Sequence, residues 1–179
     1  IHTYEDRKPT STGRLAARCL PNSAVIVRGD ATQPTVSPTW DADSQPLLLF
    51  PHESSLPITT FASSSRPFTL IVPDGTWRQA SRVRHRMPGL RDVPCVRLPE
   101  AEPSAYRLRK EKQLDRLSTI EAIARAMEIL EGPQIRRQLE VVFRTFVDRA
   151  LWTRGQIATA DVTGGIPPGA QRHNPRPHT

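Results

Sequence analysis

At 179 residues the chain has room for one domain with a sizeable core and not for two large ones. Its formal net charge of +7 is carried almost wholly by arginine, since lysine occurs only at Lys8, Lys110 and Lys112. No apolar run reaches the roughly 20 residues that span a bilayer, and Ile1 to Leu15 lacks the form of a secretory signal, so a cytoplasmic protein is expected.

Arginine binds phosphate through paired hydrogen bonds and stacks on bases, which makes nucleic acid a reasonable partner. The same bias also arises from genome composition alone. Cys19 and Cys95 lie far apart, with neither a Cys-x-x-Cys spacing nor a His-x-x-x-His to complete a zinc site. They read as buried free thiols, and no metal is implied in this chain.

In chain order, Thr12 to Leu20 suits a short helix, with Ser11 or Thr12 as N-cap and Leu15, Cys19 and Leu20 on its apolar side. Ala24 to Val27 reads as a strand, and Gly29 to Gln45 as a polar loop. Leu47 to Phe50 is a short apolar strand stopped by Pro51, and Phe68 to Val72 a second, followed by Pro73-Asp74-Gly75 turn chemistry. The pattern of Trp77 to Arg86 is helical with a basic surface, and Pro94 to Leu98 is another strand.

Ser118 to Glu131 opens with a capping box, because Glu121 stands three residues after Ser118. Ile120, Ile123, Ala124, Met127 and Leu130 recur at helical spacing, as do Ile135, Leu139, Val142, Phe146 and Ala150 in the next helix. Strands alternating with helices predict an α/β fold, a mainly parallel sheet flanked by helices. Residues 163–179 are Gly/Pro-rich, basic and without periodicity, and read as a flexible tail.

Four polar clusters stand out: His2, Glu5 and Arg14; Asp74, Thr76 and Trp77; Ser104, Tyr106, Arg107, Arg109 and Lys110; and Ser118, Thr119 and Glu121. Each has a bland reading. His2 and Glu5 suit a surface, Arg107 to Lys110 a solvated basic loop, and Glu121 a capping partner. Asp74 falls where an apolar run ends and a helical pattern begins, the place where open α/β folds hold ligands. It suits either a general base or the cap of the following helix. No Gly-x-Gly-x-x-Gly or Walker-type loop is present.

Asp74-Gly75-Thr76-Trp77-Arg78-Gln79-Ala80 resembles the Asp-x-Thr-Trp signature of the DTW-domain family, the tRNA-uridine aminocarboxypropyltransferases. The other blocks agree in order: His2-x-x-Glu5 leading to Ser11-Thr12-Gly13-Arg14, Leu49-Phe50-Pro51, Ser104-x-Tyr106-Arg107-x-Arg109, and Leu117-Ser118-Thr119-x-Glu121-Ala122. The resemblance runs from His2 to about Phe146.

It implies a SPOUT-like domain over residues 1–162 with a C-terminal trefoil knot. It also implies transfer of the 3-amino-3-carboxypropyl group of S-adenosylmethionine to N3 of a uridine in tRNA, releasing methylthioadenosine. Asp74 becomes the expected base. Leu49, Phe50, Pro51, Val72, Pro73, Thr76, Trp77, Ser118, Thr119 and Glu121 become the expected cofactor residues, and His2, Glu5, Arg14, Arg78, Tyr106, Arg107 and Arg109 the expected tRNA residues. Family members commonly carry a cysteine cluster ahead of the His-x-x-Glu block, so zinc is expected in an upstream segment if anywhere. A SPOUT-type RNA methyltransferase and a noncatalytic RNA-binding domain stay open, and a monomer is expected.

Overall fold

The structure is a computed structural model and describes residues 1–30, 32, 36–100, 103–108 and 117–173. Leu47, Leu48 and Leu49 alternate between the two faces of a central strand, and this period of two builds the fold. That strand, β1 (Gln45–Leu49), pairs in parallel with β3 (Phe68–Ile71) on one side and β4 (Cys95–Arg97) on the other. The short β2 (Leu56–Pro57) pairs with β4, which gives a four-stranded parallel sheet in the order β2-β4-β1-β3. Pro57 cannot donate to a ladder, and it stands on the edge strand, where that omission costs least.

On one face, Leu48 and Cys95 pack with Val83, Met87, Leu90 and Val93. Val83 opens α4 (Val83–Arg86), which follows the short α3 (Trp77–Ser81), and the other three lie in the turns after α4. On the other face, Leu47, Leu49 and Val96 meet Ala126, Ala122, Ile129 and Leu130 of α5 (Thr119–Glu131). The outer side of α5 carries a third cluster, in which Ile120 and Ala124 join Ala16 of α2 (Thr12–Cys19) and Leu139, Phe143, Val147 and Leu151 of α6 (Pro133–Thr153). α5 is therefore covered on both sides, and side chains as fully buried as Leu47 and Ile120 are each worth about 1.5–3 kcal/mol.

The expected caps form. Ser11 Oγ accepts from Arg14 N–H at the start of α2, and Ser118 and Glu121 make the reciprocal capping box of α5. Gly132, at φ +101°, turns the chain from α5 into α6, with Pro133 at the first position of the next helix.

Three sequence expectations are corrected. Ala24 to Val27 is not a strand: beside it the backbone makes a single bridge, His2 to Arg28, too little to form a ladder. Trp77 to Arg86 is two short helices, because the Arg82 N–H turns back to the Ala80 carbonyl and interrupts the ladder. The fully buried stripe of α6 is Leu139, Phe143, Val147 and Leu151; Ile135 and Phe146 of the expected stripe pack against it, while Val142 is 36% exposed. A one-residue rotation of the stripe separates the two readings.

After α6, Asp148 accepts from Thr163 N–H, and Arg149 donates to the carbonyls of Gly164 and Gly165. His173 N–H donates to the Thr153 carbonyl at 2.8 Å, and the Arg172 guanidinium lies 5.4 Å from the Trp152 ring centroid. No helix among the described residues is long and apolar enough to cross a membrane.

Candidate functional site

The carboxyl ends of β1, β3 and β4 open on one cavity of about 840 Å³. Its floor is Leu49, Phe50, Pro51, Val72, Pro73 and Leu98, and its walls carry the first residues of three helices: Thr12 of α2, Thr76 and Trp77 of α3, and Ser118 and Thr119 of α5. Glu5, Lys8, Tyr106 and Leu108 complete the rim. Parallel strands end together, and the helices that follow point their free backbone donors back toward the same crevice. A second, more open groove of about 470 Å³ between Leu15 and Val142 contains none of the sequence-derived site residues.

Asp74 sits at the tip of β3, 9% exposed, between the starts of α2 and α5. Thr119 Oγ1 donates to its Oδ1 across 2.8 Å, and Thr119 N–H in turn donates to Thr12 Oγ1 at 3.2 Å. The Asp74 carbonyl accepts from His2 N–H at 2.8 Å, so the backbone is pinned as well as the side chain. At Gly13 a Cβ would stand 2.3 Å from Asp74 Oδ2, so glycine there is a condition of the carboxylate's position.

Asp74 does not cap α3. That cap is Thr76, whose hydroxyl accepts from Gln79 N–H while Gln79 Oε1 accepts from Thr76 N–H at 2.8 Å. Asp74 is thus part of the cavity wall, with Oδ1 on Thr119 and Oδ2 buried against Gly13. Trp77, 51% exposed, leans on Phe50 with ring centroids 4.8 Å apart and forms an aromatic wall at the mouth.

Of the residues singled out in the sequence, Asp74, Leu49, Phe50, Pro51, Val72, Pro73, Thr76, Trp77, Ser118, Thr119, Glu5 and Tyr106 line the cavity. His2, Arg14, Arg78, Arg107 and Glu121 do not, and Arg109 lies outside the described residues.

Glu121 is buried behind the wall, where its carboxylate accepts from Ser104 Oγ, Ala105 N–H, Ser118 N–H and Ser118 Oγ at 2.6–2.7 Å. Hydrogen bonds to a charged group are worth about 1.5–3 kcal/mol each. Freeing Glu121 for a ligand ammonium would cost more than that one contact returns. Its work is to fasten the 104–106 loop to α5.

The other absentees have partners of their own. Arg14 pairs with Asp6, and Arg107, itself well exposed, pairs with the buried Asp148. His2 caps α1 (Thr3–Asp6) through Nδ1 and stacks on Tyr4. Burial and the nearby Arg28 hold it below the usual histidine range. Arg78 is exposed on α3 beside Trp77. Tyr106 is 8% exposed, donates its hydroxyl to the Thr10 carbonyl and packs on Phe143, so it serves as wall and not as an open stacking surface.

Sequence reasoning gave no site role to Lys8 and Thr10 on the rim or to Arg28 near Asp74, and Thr12 and Gly13 stood in a quoted block without one. Lys8 stands three residues after Glu5 and pairs with it at 2.6 Å, a helical spacing that was open to reading. Arg28 carried no such signal, since it reaches the site across the fold and donates to the Gln79 carbonyl at 3.1 Å. Among the described residues no group of three His, Cys, Asp or Glu side chains could hold a metal ion.

Residues 1–151 match the family model of the DTW domain. The chain belongs to the DTW-domain family. Among relatives of that family, a Drosophila melanogaster protein named tRNA-uridine aminocarboxypropyltransferase 2 is 35% identical over 96 residues, covering 53% of this chain and 38% of its own length. Proteins of the same name from Macaca fascicularis and Mus musculus are each 31% identical, covering 73% of this chain and 46% of theirs. The chain thus spans less than half the length of these curated relatives. No solved structure matches it.

Proposed function

We propose that this DTW domain transfers the 3-amino-3-carboxypropyl group of S-adenosylmethionine to N3 of a uridine in tRNA, with methylthioadenosine as the second product. The observation that carries the reading is convergence: each of the five ordered sequence blocks contributes at least one residue to a single cavity at the strand ends. Relatives that bear the activity's name, at modest identity, support it.

The cavity fits the cosubstrate. Its volume of about 840 Å³ lies within the roughly 300–1,000 Å³ typical of small-molecule sites. Leu49, Phe50, Val72 and Trp77 offer apolar and aromatic surface to a nucleoside. When bound, S-adenosylmethionine supplies a sulfonium whose attached carbons are electrophilic. Which carbon reacts is then decided by the shape of the cavity, through the orientation it imposes.

Asp74 accepts the N3 proton of the uridine. A carboxylate is a weak base, so the proton moves as the N3–carbon bond forms and not in an earlier step. Thr119 and Gly13 fix the direction of the accepting oxygens. Trp77 at the mouth and Arg78 beside it meet the RNA, one by stacking and the other at phosphate. The SPOUT relationship belongs to the same proposal, consistent with the parallel sheet and the site at its strand ends, and the C-terminal knot rests on the family resemblance alone.

The test is nucleoside mass spectrometry of tRNA incubated with the protein and S-adenosylmethionine. The reading requires a uridine heavier by one aminocarboxypropyl group, with methylthioadenosine formed in equal amount. Methylated uridine with S-adenosylhomocysteine would replace it with a methyltransferase.

A further inference from the structure

Among the described residues, the charged side chains that line the cavity are Asp74, Glu5 and Lys8. Two are acidic and one is basic. The cosubstrate of the proposed reaction carries the complementary set: a sulfonium, an ammonium and a carboxylate. Asp74 is held deep in the cavity by Thr119, whereas Glu5 and Lys8 stand together on the rim at the end of α1, 2.6 Å apart. Glu121, the other carboxylate available near α5, is spent on the 104–106 loop.

We infer that Glu5 and Lys8 form the subsite for the α-amino-acid end of S-adenosylmethionine, Glu5 taking the ammonium and Lys8 the carboxylate. The assignment rests on the proposed cosubstrate. A zwitterion needs an acceptor and a donor about as far apart as its own two groups, and an adjacent opposite pair supplies both at once.

The existing Glu5–Lys8 pair does not oppose this. Their side chains are 22% and 54% exposed, and ion pairs in such settings contribute little, so rearranging them around a ligand is inexpensive. Glu5 also keeps its acceptor capacity, since its second oxygen and remaining lone pairs can meet an ammonium while Lys8 stays nearby. The third charge falls to Asp74, which lines the same cavity. The net charge of the three side chains, with Asp74 ionised, then offsets the net positive charge of the cosubstrate.

The subsite also accounts for selective retention. Methylthioadenosine lacks the amino-acid end, so it makes none of these contacts and leaves more easily than the cosubstrate. Transfer itself removes the anchoring groups from the nucleoside.

Calorimetric titration of three ligands against Glu5→Gln and Lys8→Met tests the assignment: S-adenosylmethionine, its decarboxylated analogue, and methylthioadenosine. Both positions are exposed enough for near-isosteric changes to leave the fold intact, which the melting temperature checks. Lys8→Met is expected to weaken S-adenosylmethionine about tenfold, the size of a lost charged hydrogen bond, and to leave the decarboxylated analogue within about twofold. Glu5→Gln is expected to weaken both of those ligands and to spare methylthioadenosine. Equal weakening of all three ligands, or unchanged S-adenosylmethionine affinity in both variants, overturns the subsite. Failure of the unaltered protein to bind any of the three overturns the cosubstrate reading beneath it.

Discussion

The Thr119 hydroxyl donates to the Asp74 carboxylate across 2.8 Å, linking the first residue of α5 to the tip of β3. Replacing Thr119 by Val removes that donor without changing shape. Turnover is expected to fall about tenfold while S-adenosylmethionine affinity stays within about threefold, and Thr119→Ser is expected to restore turnover. Asp74→Asn should abolish transfer and also weaken the cosubstrate, since it removes one of the three charges that answer the sulfonium compound. Steady-state kinetics beside calorimetry measures both, and wild-type turnover in Asp74→Asn would remove Asp74 from the chemistry.

Gly13 faces the same carboxylate from α2. A methyl group 2.3 Å from Asp74 Oδ2 must displace the side chain or the helix. Overpacking of this kind costs about 1–3 kcal/mol, so Gly13→Ala is expected to lower the melting temperature by several degrees, at about 2–4 °C per kcal/mol. It should also lose turnover. A melt and an assay that both match the unaltered protein would show that the site yields freely there.

The basic residues now separate into two kinds. Arg78 is exposed on α3 and does not line the cavity, so Arg78→Ala is expected to weaken tRNA binding and lower the salt slope by about one, with no change in melting temperature. Arg107→Ala leaves the buried Asp148 without its guanidinium and is expected to lower the melting temperature as well. Filter binding across a salt series, with parallel melts, distinguishes the two.

Asp148 also sets an acid limit. Burial pushes its carboxyl up, but the bonds from Thr163 and the Arg107 guanidinium outweigh burial and hold it below the usual aspartate range. The unfolded chain therefore binds the proton more readily, and stability rises with pH across the interval between the two states' values. The contribution is complete above the unfolded value of about 3.9 and is lost as pH falls through the folded one. Melting temperatures in acid should fall more steeply for the unaltered protein than for Asp148→Asn; parallel curves would deny the linkage.

Local signals in the sequence carried the elements that position the site. The strand that precedes the Asp74 turn, the Ser11 and Ser118 caps and the Gly132-Pro133 break all rest on neighbours in the chain, and they form as read, the strand one residue shorter. What local pattern does not carry is the partner from elsewhere. Glu121 looked like a site carboxylate because its links to Ser104 and Ala105 arise from a loop 16–17 residues away. Arg107 reads as solvated because its partner Asp148 lies 41 residues on, and Arg28 carries no local signal because it reaches the Gln79 carbonyl 51 residues on. The strand expected at 24–27 failed for the same reason: a β-prone run becomes a strand only if another strand is beside it.

Which bond to sulfur breaks decides between aminocarboxypropyl and methyl transfer. The most direct measurement incubates the protein and tRNA with S-adenosylmethionine labelled in the methyl group in one sample and in the carboxyl group in another. Carboxyl label entering tRNA, with methyl label left in methylthioadenosine, is the predicted result. Methyl label entering tRNA would contradict it.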